Sequence, residues 1–364
     1  MKRRTLLSLV PLAALALMTG CKPEEPKAGG DATGATKPAD ATKPAGGDGK
    51  KIKVVFIPKN VGNPYFDAIA KGMKEVCEKE GAEFSMTGPA QAEATNQISY
   101  IKDEVQRGAN VICIAANSID ALNGTLDEIR AKGVKVVTVD ADLTGNETHR
   151  DVGIFATDFS KFGATILETM GKGINYEGEV AILSATSDAP NQKLWVEQMN
   201  AAWKDPKYAK MPLVATVFGD DKPEKSATEM EGLLTKFPNL KGVIAPTTVG
   251  VSAAAKVAQQ RGVYPGGPNA KNGGVRVFGL GLPNQMRSFI KDGVTPEIML
   301  WSPVDMGTVS AYVCLALAKG EAKAEKGQKI KVGAMGEREI GELNKIMVAD
   351  PTIFTKDNVD KFDF

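Results

Sequence analysis

The chain has 364 residues, 45 Lys and Arg against 44 Asp and Glu, and a formal net charge of +1. That balance offers no electrostatic footprint for nucleic acid. A single histidine, His149, and four cysteines leave almost no material for a zinc site or a His-based catalytic triad, so neither a metal nor a cofactor is expected.

The start of the chain predicts export. Lys2, Arg3 and Arg4 precede an apolar run from Leu6 to Met18, followed by Thr19, Gly20 and Cys21. The run is too short to span a bilayer and reads as a signal peptide over residues 1–20. The small residues before Cys21 resemble the lipobox of bacterial lipoproteins, which implies cleavage before Cys21 and lipidation of that cysteine. From Lys22 to Lys50 the composition is Ala, Gly, Pro, Lys, Thr and Asp with almost no large apolar side chain. Such a segment cannot bury enough surface to fold, so residues 21–50 read as a lipidated, disordered stalk. The remaining 314 residues exceed one ordinary domain, and two lobes are the natural expectation.

The body opens with a buried strand (Ile52, Val54, Val55, Phe56, Ile57), a polar turn, and a helix whose apolar face is Phe66, Ile69, Met73, Val76 and Cys77. The turn carries Lys59, Asn60, Asn63, Tyr65 and Phe66, a mixture of donors, acceptors and aromatic faces that suits a polar ligand with apolar CH faces. It is equally a helix start, with Asn63 as N-cap and Pro64 at the first helical position. Strands are then predicted near 82–87, 110–116, 134–139 and 152–156, with helices near 93–107 and 119–132 between them. A second alternation follows, with strands near 179–185, 213–218, 242–245, 275–280 and 297–301. Its helices are predicted near 192–204, 225–236, 251–261 and 285–291. Apolar strands without polar alternation, and helices closed by glycine, are what parallel sheets covered on both faces require. The fold class is therefore α/β, as two doubly wound Rossmann-like lobes. Cys77, Cys113 and Cys314 all fall in apolar surroundings and are expected as buried free thiols, a Cys77 to Cys113 bridge being the alternative.

Polar or aromatic residues stand at the strand ends of both lobes: Lys59 and Asn60, Asn117, Asp140, Asn191 and Gln192, Thr247 and Thr248, and Trp301. Each alone reads as a turn former, a cap or a core aromatic. Together they read as one cleft, since ligands favour the switch points of open sheets and the space between domains.

These residues carry a family resemblance. The runs PKNVGNPYF, AILSAT followed by NQKLW, GVIAPTTVGVSAAAKV, GLGLPNQM, LWSPVDMG and FTKDNVDKFDF make the body, from Lys51 to Phe364, similar to the type I periplasmic sugar-binding proteins of ABC importers. Within them it most resembles the rhamnose-binding and autoinducer-2-binding branch. The resemblance implies three crossings between lobes, near Ala156 to Asp158, Ser302 to Pro303 and Gly320 to Gly327, with helix 304–319 returning to the first lobe. The implied N-terminal lobe is 51–157 plus 302–322, and the C-terminal lobe 158–301 plus 323–364. It places Lys59, Asn60, Phe66 and Asp140 on one wall of the ligand site, and Asn191, Gln192, the segment Pro246 to Thr248, and Trp301 on the other. Autoinducer-2 binders have Asp where this chain has Asn191. Ribose-type relatives have Asp in place of Gly281 and Gln in place of Trp301, so the rhamnose-like pattern fits better. The implied partners are a sugar, the membrane permease of an ABC importer and, through the anchor, the membrane, with the chain itself monomeric and periplasmic or at the cell surface. The alternative is a receptor for autoinducer-2 or another sugar-like signal, serving uptake, chemotaxis or a sensor kinase. An enzyme on this fold would need a nucleophile, base or phosphate loop, and Gly279-Leu280-Gly281 lacks the rest of a dinucleotide fingerprint.

Overall fold

The computed structural model describes residues 51–364; the expected signal, Cys21 and the stalk lie outside them. The first sheet contains β1 (Lys53–Ile57), β2 (Glu83–Met86), β3 (Val111–Ile114), β4 (Lys135–Val139) and β5 (Val152–Phe155), linked by α1 (Pro64–Lys79), α2 (Ala94–Gln106) and α3 (Asn123–Ala131). These strands lie parallel in the order β2-β1-β3-β4-β5. Helices on both faces explain why Val54 to Ile57 and Val111 to Ile114 have no exposed surface at all.

The second lobe starts with α4 (Phe162–Gly173), then β6 (Glu179–Ser184), α5 (Pro190–Ala202), β7 (Leu213–Phe218), α6 (Pro223–Lys236), β8 (Leu240–Ala245), α7 (Thr248–Arg261), β9 (Arg276–Gly279), α8 (Pro283–Lys291) and β10 (Glu297–Leu300). Its sheet runs β7-β6-β8-β9, again parallel, and a bridge from Leu280 to Met299 sets β10 beside it. In both lobes the order reverses beside the first strand, between β1 and β3 and between β6 and β8. The loops leaving those strands therefore splay apart and open a crevice at their carboxyl ends. Helix α4 was not among the sequence-predicted elements. Its turns include Gly163, Gly171 and Gly173, which lower its intrinsic propensity, and packing against α5 stabilises it.

The chain returns to the first lobe through α9 (Pro303–Lys319), which packs along α1. The approach is close enough that a Cβ on Gly72 would lie 2.1 Å from the Val304 carbonyl oxygen, and one on Gly307 2.0 Å from that of Ile69. Beyond α9 come β11 (Lys329–Lys331), β12 (Glu337–Glu339), β13 (Lys345–Met347) and β14 (Thr352–Thr355). Strands β11 and β12 form a hairpin, while β13 pairs parallel to β5 at the edge of the first sheet. Only β14 joins the second lobe, antiparallel to β10. This corrects the expectation that all of 323–364 belongs to the second lobe and that the third crossing lies at 320–327. The crossing lies at 348–351, alongside the first. The Val348 and Ala349 N–H groups donate to the Ala156 carbonyl, and Thr157 Oγ1 donates to Asp350 at 2.8 Å. Among the described cysteines, Cys77, Cys113 and Cys314 are free and buried, as the apolar surroundings imply.

Candidate functional site

The crevice is built from strand ends. Gln97 of α2, fully buried, donates to the carbonyls of Pro58 and Ala115 and accepts from the Asn117 N–H, so it ties the ends of β1 and β3 together. Asn117 in turn donates to the Lys59 carbonyl at 2.9 Å. Asn63 caps α1 by accepting from the Tyr65 N–H, with Pro64 next, so the cap and the site turn are one structure. Asp140 leaves β4 with φ +65°, the N–H of Ala141 donating back to Val139 at 2.7 Å across it. A three-residue turn with positive φ on an aspartate is strained, and its effect is to aim the carboxylate into the crevice.

From the second lobe, Asn191 and Gln192 enter on the first turn of α5, and Pro246 to Thr248 lead into α7. The two walls meet. Lys59 Nζ donates to Asn191 Oδ1 at 2.6 Å and Gln192 Oε1 at 3.1 Å, and lies 3.7 Å from Asp140 Oδ2. Asn191 Nδ2 donates to Asp140 Oδ2 at 3.2 Å, and Gln192 Nε2 to the Pro246 carbonyl at 3.4 Å. Tyr65 donates to Asp140 Oδ1 at 2.9 Å while accepting from Trp301 Nε1 at 2.8 Å. Trp301 also packs, with ring centroids 5.4 and 5.8 Å away, against Phe159 and Phe162 just past the first crossing.

Eight of the nine sequence-predicted ligand residues, Lys59, Phe66, Asp140, Asn191, Gln192, Pro246, Thr248 and Trp301, line one pocket between the lobes. Asn60 does not line it; it is buried behind the turn, where its Oδ1 accepts from Asn63 at 3.5 Å. Among the lining residues outside the predicted set, Tyr65, Trp195 and Asp221 add hydrogen-bonding groups. Tyr65 reads from sequence only as part of the turn. Trp195, fully buried, leaves its Nε1–H without a partner and so offers a donor. Asp221 is a second carboxylate, 7% exposed, accepting a hydrogen bond from Thr247 Oγ1. It precedes Lys222-Pro223 at the start of α6, where an aspartate reads as a cap.

Burial holds Asp140 above the usual carboxylate range, opposed by the charge of Lys59 and by the hydrogen bonds from Tyr65 and Asn191. Burial likewise raises Asp221, partly offset by Lys59 and Thr247. Tyr65 is pushed well up, by burial first and then by the negative charge of Asp140, so its hydroxyl stays protonated and donates. The pocket thus offers two carboxylates, one ammonium, three amides and an aromatic wall. Among the described residues no group of three or more His, Cys, Asp or Glu is placed to hold a metal ion. Such an arrangement orients hydroxyls and covers an apolar ring face.

Two doubly wound lobes joined by three crossings, with opposed polar side chains in the cleft between them, define a two-lobed solute receptor. The chain belongs to the periplasmic binding protein family: residues 54–322 match the model described as a periplasmic binding protein domain. Members of that family bind solutes and are not enzymes. A crystal structure of a sugar ABC transporter protein from Actinomyces odontolyticus is 40% identical, covering 86% of this chain and 98% of that one, with a TM-score of 0.66. An ABC transporter solute-binding protein from Clostridium phytofermentans with bound L-rhamnose is 30% identical over 86% of this chain and 98% of that one, with a TM-score of 0.79. A ribose import binding protein of Bacillus subtilis is 24% identical over 66% of this chain and 72% of its own length.

Proposed function

We propose that this protein captures a neutral, rhamnose-like deoxyhexose in the inter-lobe pocket and delivers it to the membrane permease of an ABC importer. The observation that carries the reading is the network in which Lys59 and Asp140 of one lobe meet Asn191 and Gln192 of the other. Closure about hinges is the motion such lobes support, and a ligand that bridges both walls selects the closed state. Sugar hydroxyls would replace these cross-lobe hydrogen bonds one for one, with Trp301 and Phe66 against the apolar part of the ring. Two carboxylates against one ammonium favour a ligand without negative charge. Asn191 is matched to that charge pattern, because its amide donates to Asp140 and accepts from Lys59 at once. An aspartate there would set a third carboxylate against Asp140. The rhamnose-bound relative supports the deoxyhexose over a pentose.

Calorimetry with L-rhamnose, D-ribose, D-arabinose, autoinducer-2 and D-glucuronate tests the ligand class. Rhamnose is expected to bind tightest and glucuronate least. Tighter binding of a pentose or of autoinducer-2 would overturn the deoxyhexose reading. We further propose that Cys21 carries the lipid that holds the protein at the membrane, outside the described residues. Cys21→Ser is then expected to move the protein from the membrane fraction to the soluble extracytoplasmic fraction, and unchanged fractionation would refute the anchor.

A further inference from the structure

Next to the ligand pocket lies a second chamber, lined by other residues of both lobes. The inner pocket has about 30 Å³ of free space, whereas the chamber has about 500 Å³, within the range of small-molecule sites. Both lobes build it: Ala92, Glu93 and Asn117 from the first, Ser187, Asp188 and Asp220 from the second. It adjoins the inner pocket at two points. Asn117 donates to the carbonyl of Lys59, and Asp220 is the chain neighbour of Asp221, which lines the inner pocket. Asn117 is 3% exposed, and with its amide nitrogen committed to Lys59 its Oδ1 has no partner. A buried acceptor left unpaired costs free energy unless something donates to it. Like Asn60, it is a strand-end residue of the predicted cleft that does not line the inner pocket.

We propose that this chamber is a second subsite, which receives a neutral glycosidic substituent on the sugar held in the inner pocket, so that the receptor accepts a disaccharide as well as the monosaccharide. Asn117 Oδ1 takes a hydroxyl of the second unit. The rim selects charge. Glu93 and Asp188 make no ion pair among the described residues, and Asp220 is paired with Lys225 at 2.6 Å. Lys222 is the single cation among the described lining residues. An anionic substituent such as a phosphate or uronate is therefore disfavoured.

The inference rests on the sugar reading above, and its test separates the two. Calorimetry on the full chain would compare L-rhamnose with 1→2 and 1→6 linked L-rhamnosyl-glucose. At least one disaccharide is expected to bind within about tenfold of rhamnose. Ser187→Trp fills the chamber from an exposed loop position outside the inner pocket; it is expected to abolish disaccharide binding and leave rhamnose within about twofold. Asn117→Ala is expected to weaken the disaccharide about tenfold more than rhamnose, the worth of one net hydrogen bond. If both disaccharides bind more than about a hundredfold weaker than rhamnose, or if Ser187→Trp leaves disaccharide affinity unchanged, the chamber is a solvent-filled mouth and the proposal fails. Absence of any sugar binding would overturn the sugar reading itself, and this one with it.

Discussion

Asp140 concentrates the chemistry of the cleft in one side chain. Its carboxylate accepts from Tyr65 and Asn191, faces Lys59, and stands on a backbone turn with positive φ. An ionised acceptor in a water-poor site contributes about 1.5 to 3 kcal/mol through each charge-assisted hydrogen bond. Asp140→Ala is therefore expected to weaken sugar binding by that amount in calorimetry, and an unaltered affinity would remove Asp140 from the site. Lys59, Asp140 and the Asn191-Gln192 pair were legible in the sequence because they follow apolar strands where a parallel sheet opens. Asp221 and Trp195 were not. Asp221 looks like a cap before Lys222-Pro223, and Trp195 lies on a helix face, where an aromatic reads as core; only the fold shows that each also borders the pocket.

The contact between α1 and α9 decides whether the chain returns properly to its first lobe. Gly72 and Gly307 let the two backbones approach so closely that an added Cβ on either would meet a carbonyl oxygen of the other helix. A backbone neighbour cannot rotate out of the way as a flexible side chain would, so the helices themselves must move apart. Gly307→Ala is expected to destabilise the protein by about 1 to 3 kcal/mol in urea titrations, the usual cost of overpacking, despite the better helix propensity of alanine. A variant as stable as the wild type would mean that the interface is plastic. The long buried strands and most helices announced themselves through runs such as VVFI and VICI and through apolar spacing. The late strands β11 to β14 did not, because three or four residues carry no readable alternation, and the turn before β13 places Leu343 and Asn344 at positive φ where sequence gives no glycine to mark it.

At the scale of the molecule, the path from α9 back to the second lobe depends on one buried ion pair. Arg150, whose side chain is fully buried, makes a two-pronged contact with Asp142 at 2.9 and 2.8 Å, and its remaining nitrogen donates to the carbonyls of Leu343 and Asn344. The guanidinium thus pins the segment that leads into β13, and β13 closes the edge of the first sheet before the chain crosses at 348–351. Burial alone would raise Asp142, but Arg150, Thr138 and the Leu143 N–H together draw it below its ordinary value of 3.8. The sign follows from linkage. A depressed carboxylate contributes stability that is present above the unfolded value and is lost as pH falls through the folded one, so the pair supports the fold down to about pH 4 and weakens below it. Arg150→Ala leaves a buried carboxylate without its partner, which costs about 3 to 5 kcal/mol near neutrality. In that variant the guanidinium no longer lowers Asp142, so the carboxylate titrates higher than in the wild type and protonation relieves part of the loss. Urea unfolding of the two proteins from pH 7 to pH 3 is therefore expected to show a large gap at pH 7 that narrows steadily with acid. A gap that stays constant across this range would show that Arg150 acts through packing and its carbonyl contacts alone, and not through the charge of Asp142.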